Sequence, residues 1–186
     1  MKQTNIIITI LLSVLMLACS QTENENPESE TNTDNKSSAA HSFTDSQVKA
    51  IENAVFYGFD GNEYKLADFR GKTVLIDFWE TWCAPCISTM PALDKLMKDY
   101  EDDFVVLATS PLWTDDEENV KRFIDNNDYS FYYVHANELS NSLTIRGIPY
   151  KIYIAPDGSI YKDESGSRGA ERDYQVISEI IEKLRS

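Results

Sequence analysis

The chain has 186 residues, of which 42% are hydrophobic, enough to build the core of one domain of ordinary size. Its formal charge of −14 argues against a nucleic-acid partner, because phosphates are normally neutralised by clustered Lys and Arg. An anionic lipid surface would also repel this charge, so any attachment to a membrane needs a source other than basic residues.

The first 18 residues have the order of a secretory signal. A charged start precedes the apolar run Ile6 to Leu17, and the small residue Ala18 comes directly before Cys19. The run is too short for a comfortable membrane span. It resembles a bacterial lipoprotein signal, and the resemblance implies lipidation of Cys19 as the mature N-terminus. The alternative is an ordinary signal or short anchor in which Cys19 has no role.

Residues 19 to 46 have the composition of a flexible tether. They are rich in Glu, Asn, Ser and Thr and contain almost no large apolar side chains, so they cannot bury enough surface to fold. We therefore predict a signal at 1–18, a lipidated cysteine with an acidic tether at 19–46 and a globular domain at 47–186. The protein is expected outside the cytoplasm of a bacterium, anchored to a membrane.

The domain is predicted to alternate strands and helices. A hairpin turn is predicted at 59–62, and strands are predicted at 73–79, 104–109, 131–135, 150–154 and 159–162. Three helices are predicted: one at 87–100, one that begins after Thr114 as its N-cap, and one around 176–184. This order predicts an α/β fold in which a mixed central β-sheet carries helices on both faces and begins with an N-terminal β-hairpin.

Two of the three cysteines form a Cys-x-x-Cys pair at Cys83 and Cys86. In an exported protein such a pair can cycle through a disulfide, whereas a zinc site would need further ligands, and His41 and His135 lie outside the motif. Because a buried strand is predicted to give way to a helix here, Cys83 would lie at the helix N-terminus, where backbone N–H groups stabilise a thiolate. Cys83 is therefore the predicted nucleophile and Cys86 the resolving thiol.

Five features recur here in the order known from one superfamily. They are Asp77-Phe78-Trp79, Trp82-Cys-x-x-Cys, Pro91, Gly147-Ile148-Pro149 and Asp157-Gly158. Over residues 54 to 184 the chain resembles the thioredoxin superfamily, in particular the exported, membrane-tethered group related to TlpA and ResA. The resemblance implies a thioredoxin-like fold, thiol-disulfide oxidoreductase activity, no metal, and no cofactor beyond the redox-active Cys83–Cys86 disulfide.

The resemblance also implies roles for individual residues. Asp77 would assist proton transfer at the resolving cysteine, Pro149 would be a cis-proline, and the backbone at Ile148 would pair with a substrate strand, while Trp82 would contact the partner. The alternatives are a water-exposed Asp77 at a strand end and a trans loop proline. The expected partners are thiols or disulfides of exported proteins, including cytochrome c haem-site cysteines, and a membrane thiol carrier that supplies electrons.

Two positions depart from the pattern of the superfamily, and two other functions stay open. Glu80 replaces a small residue and is expected to be solvated, the alternative being a carboxylate that opposes thiolate formation. Tyr150 replaces a Thr and would alter the substrate groove. A copper-binding chaperone would typically space its cysteines by three residues and add a downstream His. A peroxiredoxin-like peroxidase would need a hydroxyl residue and a proline at the positions of Glu80 and Ile76.

Overall fold

The computed structural model describes residues 42–185, so Cys19, the predicted signal and most of the predicted tether lie outside the described residues. The strands are β1 (Val55–Gly58), β2 (Glu63–Lys65), β3 (Thr73–Phe78), β4 (Phe104–Ser110), β5 (Tyr132–His135), β6 (Tyr150–Ile154) and β7 (Ile160–Ser165). The helices are α1 (Asp45–Glu52), α2 (Ala84–Asp99), α3 (Glu117–Asp125), α4 (Asn137–Ser142) and α5 (Ala170–Leu184), with a 3-10 helix at Leu66–Phe69.

The seven strands form one mixed sheet in the order β2-β1-β5-β4-β3-β6-β7. The pairs β3–β4 and β4–β5 are parallel, and the other neighbours are antiparallel. Every residue of β3 and β4 is buried, as their continuous apolar sequences predict for central strands covered on both faces. Gly61, with φ of +86°, lies in the turn predicted at 59–62, and Gly158, with φ of +81°, lies in the turn between β6 and β7.

Two apolar cores separate the sheet from its helices. On one face α2, α3 and α5 pack through Leu93, Val120 and Ile181 against Leu75 and neighbouring sheet residues, and we call this the α2-side core. On the other face α1, α4 and the 3-10 helix cover Val74, Ile76, Leu107 and Ile152. The predicted α/β fold with helices on both faces is therefore confirmed.

Two helices begin at positions that differ from the sequence-based expectation. The helix α1 starts at Asp45, inside the segment predicted as tether, because Thr44 accepts the N–H of Gln47 in a capping box and Ile51 is fully buried. The helix α3 has Asp116 as its N-cap instead of Thr114, whose N–H and hydroxyl donate to another carboxylate. Within residues 42–185, no helix combines the length and apolar character needed to cross a bilayer.

Candidate active site

Cys83 and Cys86 lie at the point where β3 passes into α2. Cys83 is the N-cap of α2, and its Sγ accepts the N–H of Cys86 at 3.3 Å. The two cysteines are joined by a disulfide and belong to the α2-side core, with 2% of Cys83 and none of Cys86 exposed. The N–H groups of the first helical turn therefore favour negative charge on the sulfur of Cys83 when the disulfide opens.

A second loop, directly before β6, lies at the same end of the sheet as the cysteines. The Ile148–Pro149 peptide bond is cis, as the resemblance implies. Tyr150 pairs with Phe78, the last residue of β3, so the proline lies at the end of the sheet from which the cysteine segment leaves. Ile148 packs against the same core that contains both cysteines. Residues that are 62 positions or more apart in the chain thus meet at one site.

Asp77 is the penultimate residue of β3 and is buried, with 1% of the residue exposed. Because side chains alternate along a strand, Asp77 faces the same side as Leu75 and Trp79, which is the side of the α2-side core and its cysteines. Burial raises the pKa of the Asp77 carboxyl to about 6. The expectation of a buried carboxylate is confirmed, and its role in proton transfer stays a prediction.

Lys151 is the partner of Asp77 that the sequence analysis missed. It lies directly opposite Asp77 in β6, and its Nζ is 3.8 Å from Asp77 Oδ1, with both side chains almost completely buried. The ammonium also donates to the carbonyl of Gly166 at 3.3 Å. Lys151 lowers the pKa of Asp77, while Asp173 on α5 raises it, but burial remains the larger influence. A lysine in the middle of the apolar run 150–154 was the available signal, since Lys is rarely buried without a partner.

Glu80 is not solvated as expected from the sequence, because it is fully buried. Its carboxylate accepts the backbone N–H groups of Trp113 at 2.8 Å, Thr114 at 3.0 Å and Asp115 at 3.3 Å. It also accepts the hydroxyl of Thr114 at 2.7 Å and the indole N–H of Trp82 at 2.8 Å. Burial raises the pKa of Glu80, but these hydrogen bonds outweigh it and hold the pKa below its ordinary value. The loop from 111 to 116 supplies the donors that make burial of the charge possible.

The two tryptophans beside the cysteines differ in exposure. Trp79 is fully buried and packs on Phe123, with ring centroids 4.8 Å apart, so it contributes to the α2-side core. Trp82 is 61% exposed, next to Cys83 in sequence, and is placed where a partner could contact it. Tyr150, at the position usual for Thr, donates its hydroxyl to Asp163 at 2.8 Å. Burial and this hydrogen bond raise the pKa of Tyr150.

His135 ends β5 among aromatic rings and not beside the cysteines. Its ring stacks on Tyr57 with centroids 5.5 Å apart and meets the edge of Phe59 at 5.7 Å. These contacts give His135 a structural role in packing. In the part of the chain that the structure describes, no three His, Cys, Asp or Glu side chains are grouped so that they could hold a metal ion.

Known proteins resemble this chain over the same region. Residues 40–162 match the AhpC/TSA family. The thiol-disulfide oxidoreductase ResA of Oceanobacillus iheyensis is 31% identical over 138 residues, which cover 73% of this chain and 69% of that protein. The thioredoxin-like protein YneN of Bacillus subtilis is 42% identical over 72 residues, which cover 38% of this chain and only 42% of that protein.

A solved structure supports the same fold. The crystal structure of the exposed lipoprotein thioredoxin Etrx1 from Streptococcus pneumoniae matches with a TM-score of 0.56 and 26% identity. The match covers 67% of this chain and 97% of that one. The thioredoxin-like fold expected from the sequence is therefore confirmed.

Proposed function

This chain belongs to the AhpC/TSA family of thioredoxin-like proteins and is a thiol-disulfide oxidoreductase, and we propose that it reduces disulfides of exported proteins while tethered to a membrane. The observation that carries the chemistry is the Cys83–Cys86 disulfide at the N-terminus of α2. Thiols or disulfides of other proteins are its substrates. The finer proposal names cytochrome c haem-site cysteines among them and a membrane thiol carrier as the electron source.

In the proposed reaction, two electrons pass from the cysteine pair to a partner disulfide. The Cys83 thiolate attacks one sulfur of the partner, forms a mixed disulfide and releases the first partner thiol. Cys86 then loses its proton, attacks Cys83 Sγ and releases the second partner thiol, which leaves the Cys83–Cys86 disulfide. The membrane thiol carrier reverses these steps and restores both thiols. In this proposal no resident cofactor takes part, because the reduced Cys83 and Cys86 thiols themselves carry the electron pair.

Two further groups are proposed to assist this exchange. The Asp77 carboxylate lies on the same face of the sheet as both cysteines, and its pKa of about 6 suits it to accept the proton of Cys86 near neutral pH. Ile148, which precedes the cis-proline, packs against the core that contains the disulfide, so its backbone is proposed to pair with an extended substrate strand.

The reductive direction predicts a low reduction potential for the Cys83–Cys86 pair. We expect a value near that of thioredoxin, about −270 mV, because a reductase must give up electrons readily. Residues 42–185 can be equilibrated with dithiothreitol buffers and the free thiols trapped. A potential near that of the oxidant DsbA, about −120 mV, would contradict the reductive direction and make the protein a disulfide donor.

The membrane tether is proposed from the sequence around Cys19, which lies outside the described residues. The lipoprotein nature of Etrx1, to which the chain is similar, supports the proposal. Two acyl chains on Cys19 would hold the protein on a bilayer.

Replacing Cys19 with Ser should release the protein from membranes. The full-length chain with Cys19→Ser is expected in the soluble fraction and without incorporated palmitate, because the hydroxyl cannot accept the lipid by a thioether bond. Fractionation of expressing bacteria and labelling with a palmitate analogue measure both properties. Ser20→Ala serves as the matched control and should stay in the membrane fraction. If Cys19→Ser is also retained there, lipidation is not the anchor.

A further inference from the structure

The carboxylate of Glu80 connects the cysteine segment to the loop from 111 to 116. One oxygen, Oε1, accepts the three backbone N–H groups of Trp113, Thr114 and Asp115. The other oxygen, Oε2, accepts the indole N–H of Trp82 and the hydroxyl of Thr114. Oε1 therefore binds only the loop, whereas Oε2 holds the ring beside Cys83 and also binds the loop through Thr114.

A reciprocal contact strengthens this connection. Asp115, on the loop, accepts the backbone N–H of Thr81 at 2.5 Å and the Thr81 hydroxyl at 2.8 Å. The indole N–H of Trp82 lies 2.8 Å from the hydroxyl oxygen of Thr114 as well. Glu80 thus accepts hydrogen bonds from the loop, and Asp115 of the loop accepts hydrogen bonds from Thr81. These bonds fix the loop from 111 to 116 relative to the cysteine segment.

The ring held in this way faces solvent. Trp82 is 61% exposed and Trp113, on the same loop, is 42% exposed, and these two are the most exposed tryptophans among the described residues. Burying a carboxylate costs desolvation free energy unless hydrogen bonds replace the lost water, so packing of the core does not account for a glutamate here. An aromatic ring that is fixed before a partner arrives loses little entropy on binding, which favours a role in recognition.

We propose that Glu80 is a positioning and specificity-determining residue that holds Trp82 and the 111–116 loop as a contact surface for polypeptide substrates. The surface would receive an apolar side chain of an extended segment next to the target disulfide, because exposed indole rings bind apolar groups well. This inference rests on the disulfide exchange at Cys83 proposed above. A small disulfide, which touches only the sulfur atoms, does not need this surface.

The substitution Glu80→Gln separates the contacts of Oε1 from those of Oε2. Its amide oxygen can still accept the backbone N–H groups of the loop, whereas its NH₂ group faces the indole N–H of Trp82 as a second donor. We expect the reduced variant to react on the order of tenfold more slowly with the disulfides of insulin, with less than a twofold change for bis(2-hydroxyethyl) disulfide. Stopped-flow measurement of both second-order rate constants gives the ratio.

A double-mutant cycle with Trp82→Phe tests whether Glu80 acts through the indole. The phenylalanine ring has no N–H, so Glu80→Gln should change the insulin rate little in that background. Asp94→Asn is the matched control for general loss of stability: Asp94 is also buried, accepts the N–H of Ser130 at 2.8 Å, and should leave the ratio unchanged.

Two results would overturn the inference. Equal slowing of both substrates would place Glu80 in the cysteine chemistry or in folding, and no change in either rate would remove its role. An inert wild-type protein with both disulfides would instead contradict the proposed exchange at Cys83.

Discussion

Cys86→Ser is expected to hold its substrate in a covalent complex, whereas Cys83→Ser is expected to hold none. Cys83 caps α2, where the helix N-terminus stabilises its thiolate, so it forms the mixed disulfide. Without the Cys86 thiol, nothing within the motif attacks Cys83 Sγ, and the complex persists. Turnover of a protein disulfide should fall by at least about 1000-fold in both variants, because each lacks one of the two sulfurs that must cycle.

Non-reducing electrophoresis of each variant after incubation with oxidised insulin measures the covalent complex, and addition of dithiothreitol should release it. Cys19 could also trap insulin in the full-length chain, and the double variant Cys83→Ser with Cys86→Ser measures that background. Expressing residues 42–186 removes Cys19 altogether. Covalent complexes formed by Cys83→Ser, and absent from Cys86→Ser, would reverse the assignment of nucleophile and resolving thiol.

The part of the site that is contiguous in sequence could be predicted without the structure. Strand β3, the cysteines and the start of α2 follow one another within residues 73–86, so an apolar run and one spacing predict their arrangement. The cis-proline loop is distant in sequence and was placed only by resemblance. The predicted fold was likewise recovered, because alternating strands and helices leave few ways to cover a mixed sheet.

Glu80 and Lys151 could not be predicted, because their partners are set by tertiary structure. Glu80 finds its backbone donors 33 to 35 residues away, and a glutamate with no local partner is expected at the surface. Lys151 meets Asp77 through the register of β3 against β6, which no local pattern fixes. Both missed residues are buried ionisable side chains. Glu80 lies three residues before Cys83, and Lys151 lies opposite Asp77, the proposed proton acceptor.

Asp77 should make the stability of this protein depend on pH between about 4 and 6. The pKa of its carboxyl is raised from 3.8 to about 6 by burial, against the influence of Lys151. Between these pH values Asp77 keeps its proton in the folded chain but has released it in the unfolded chain. The contribution of Asp77 to the free energy of unfolding should therefore be greatest below pH 4 and fall by up to about 3 kcal/mol as pH rises to 6 and above. Urea denaturation at a series of pH values measures this slope.

Asp77→Asn should remove this slope, since the amide does not titrate, and should also slow resolution of the mixed disulfide. We expect release of the second substrate thiol to become on the order of 100-fold slower at pH 7, because Cys86 then loses its proton without a nearby base. The exposed Asp102→Asn is the matched control and should retain both properties of the wild type. If Asp77→Asn removes the pH slope but leaves the release rate unchanged, Asp77 is a buried charge balanced by Lys151 and not a proton acceptor. If the slope survives, titration of another group is responsible.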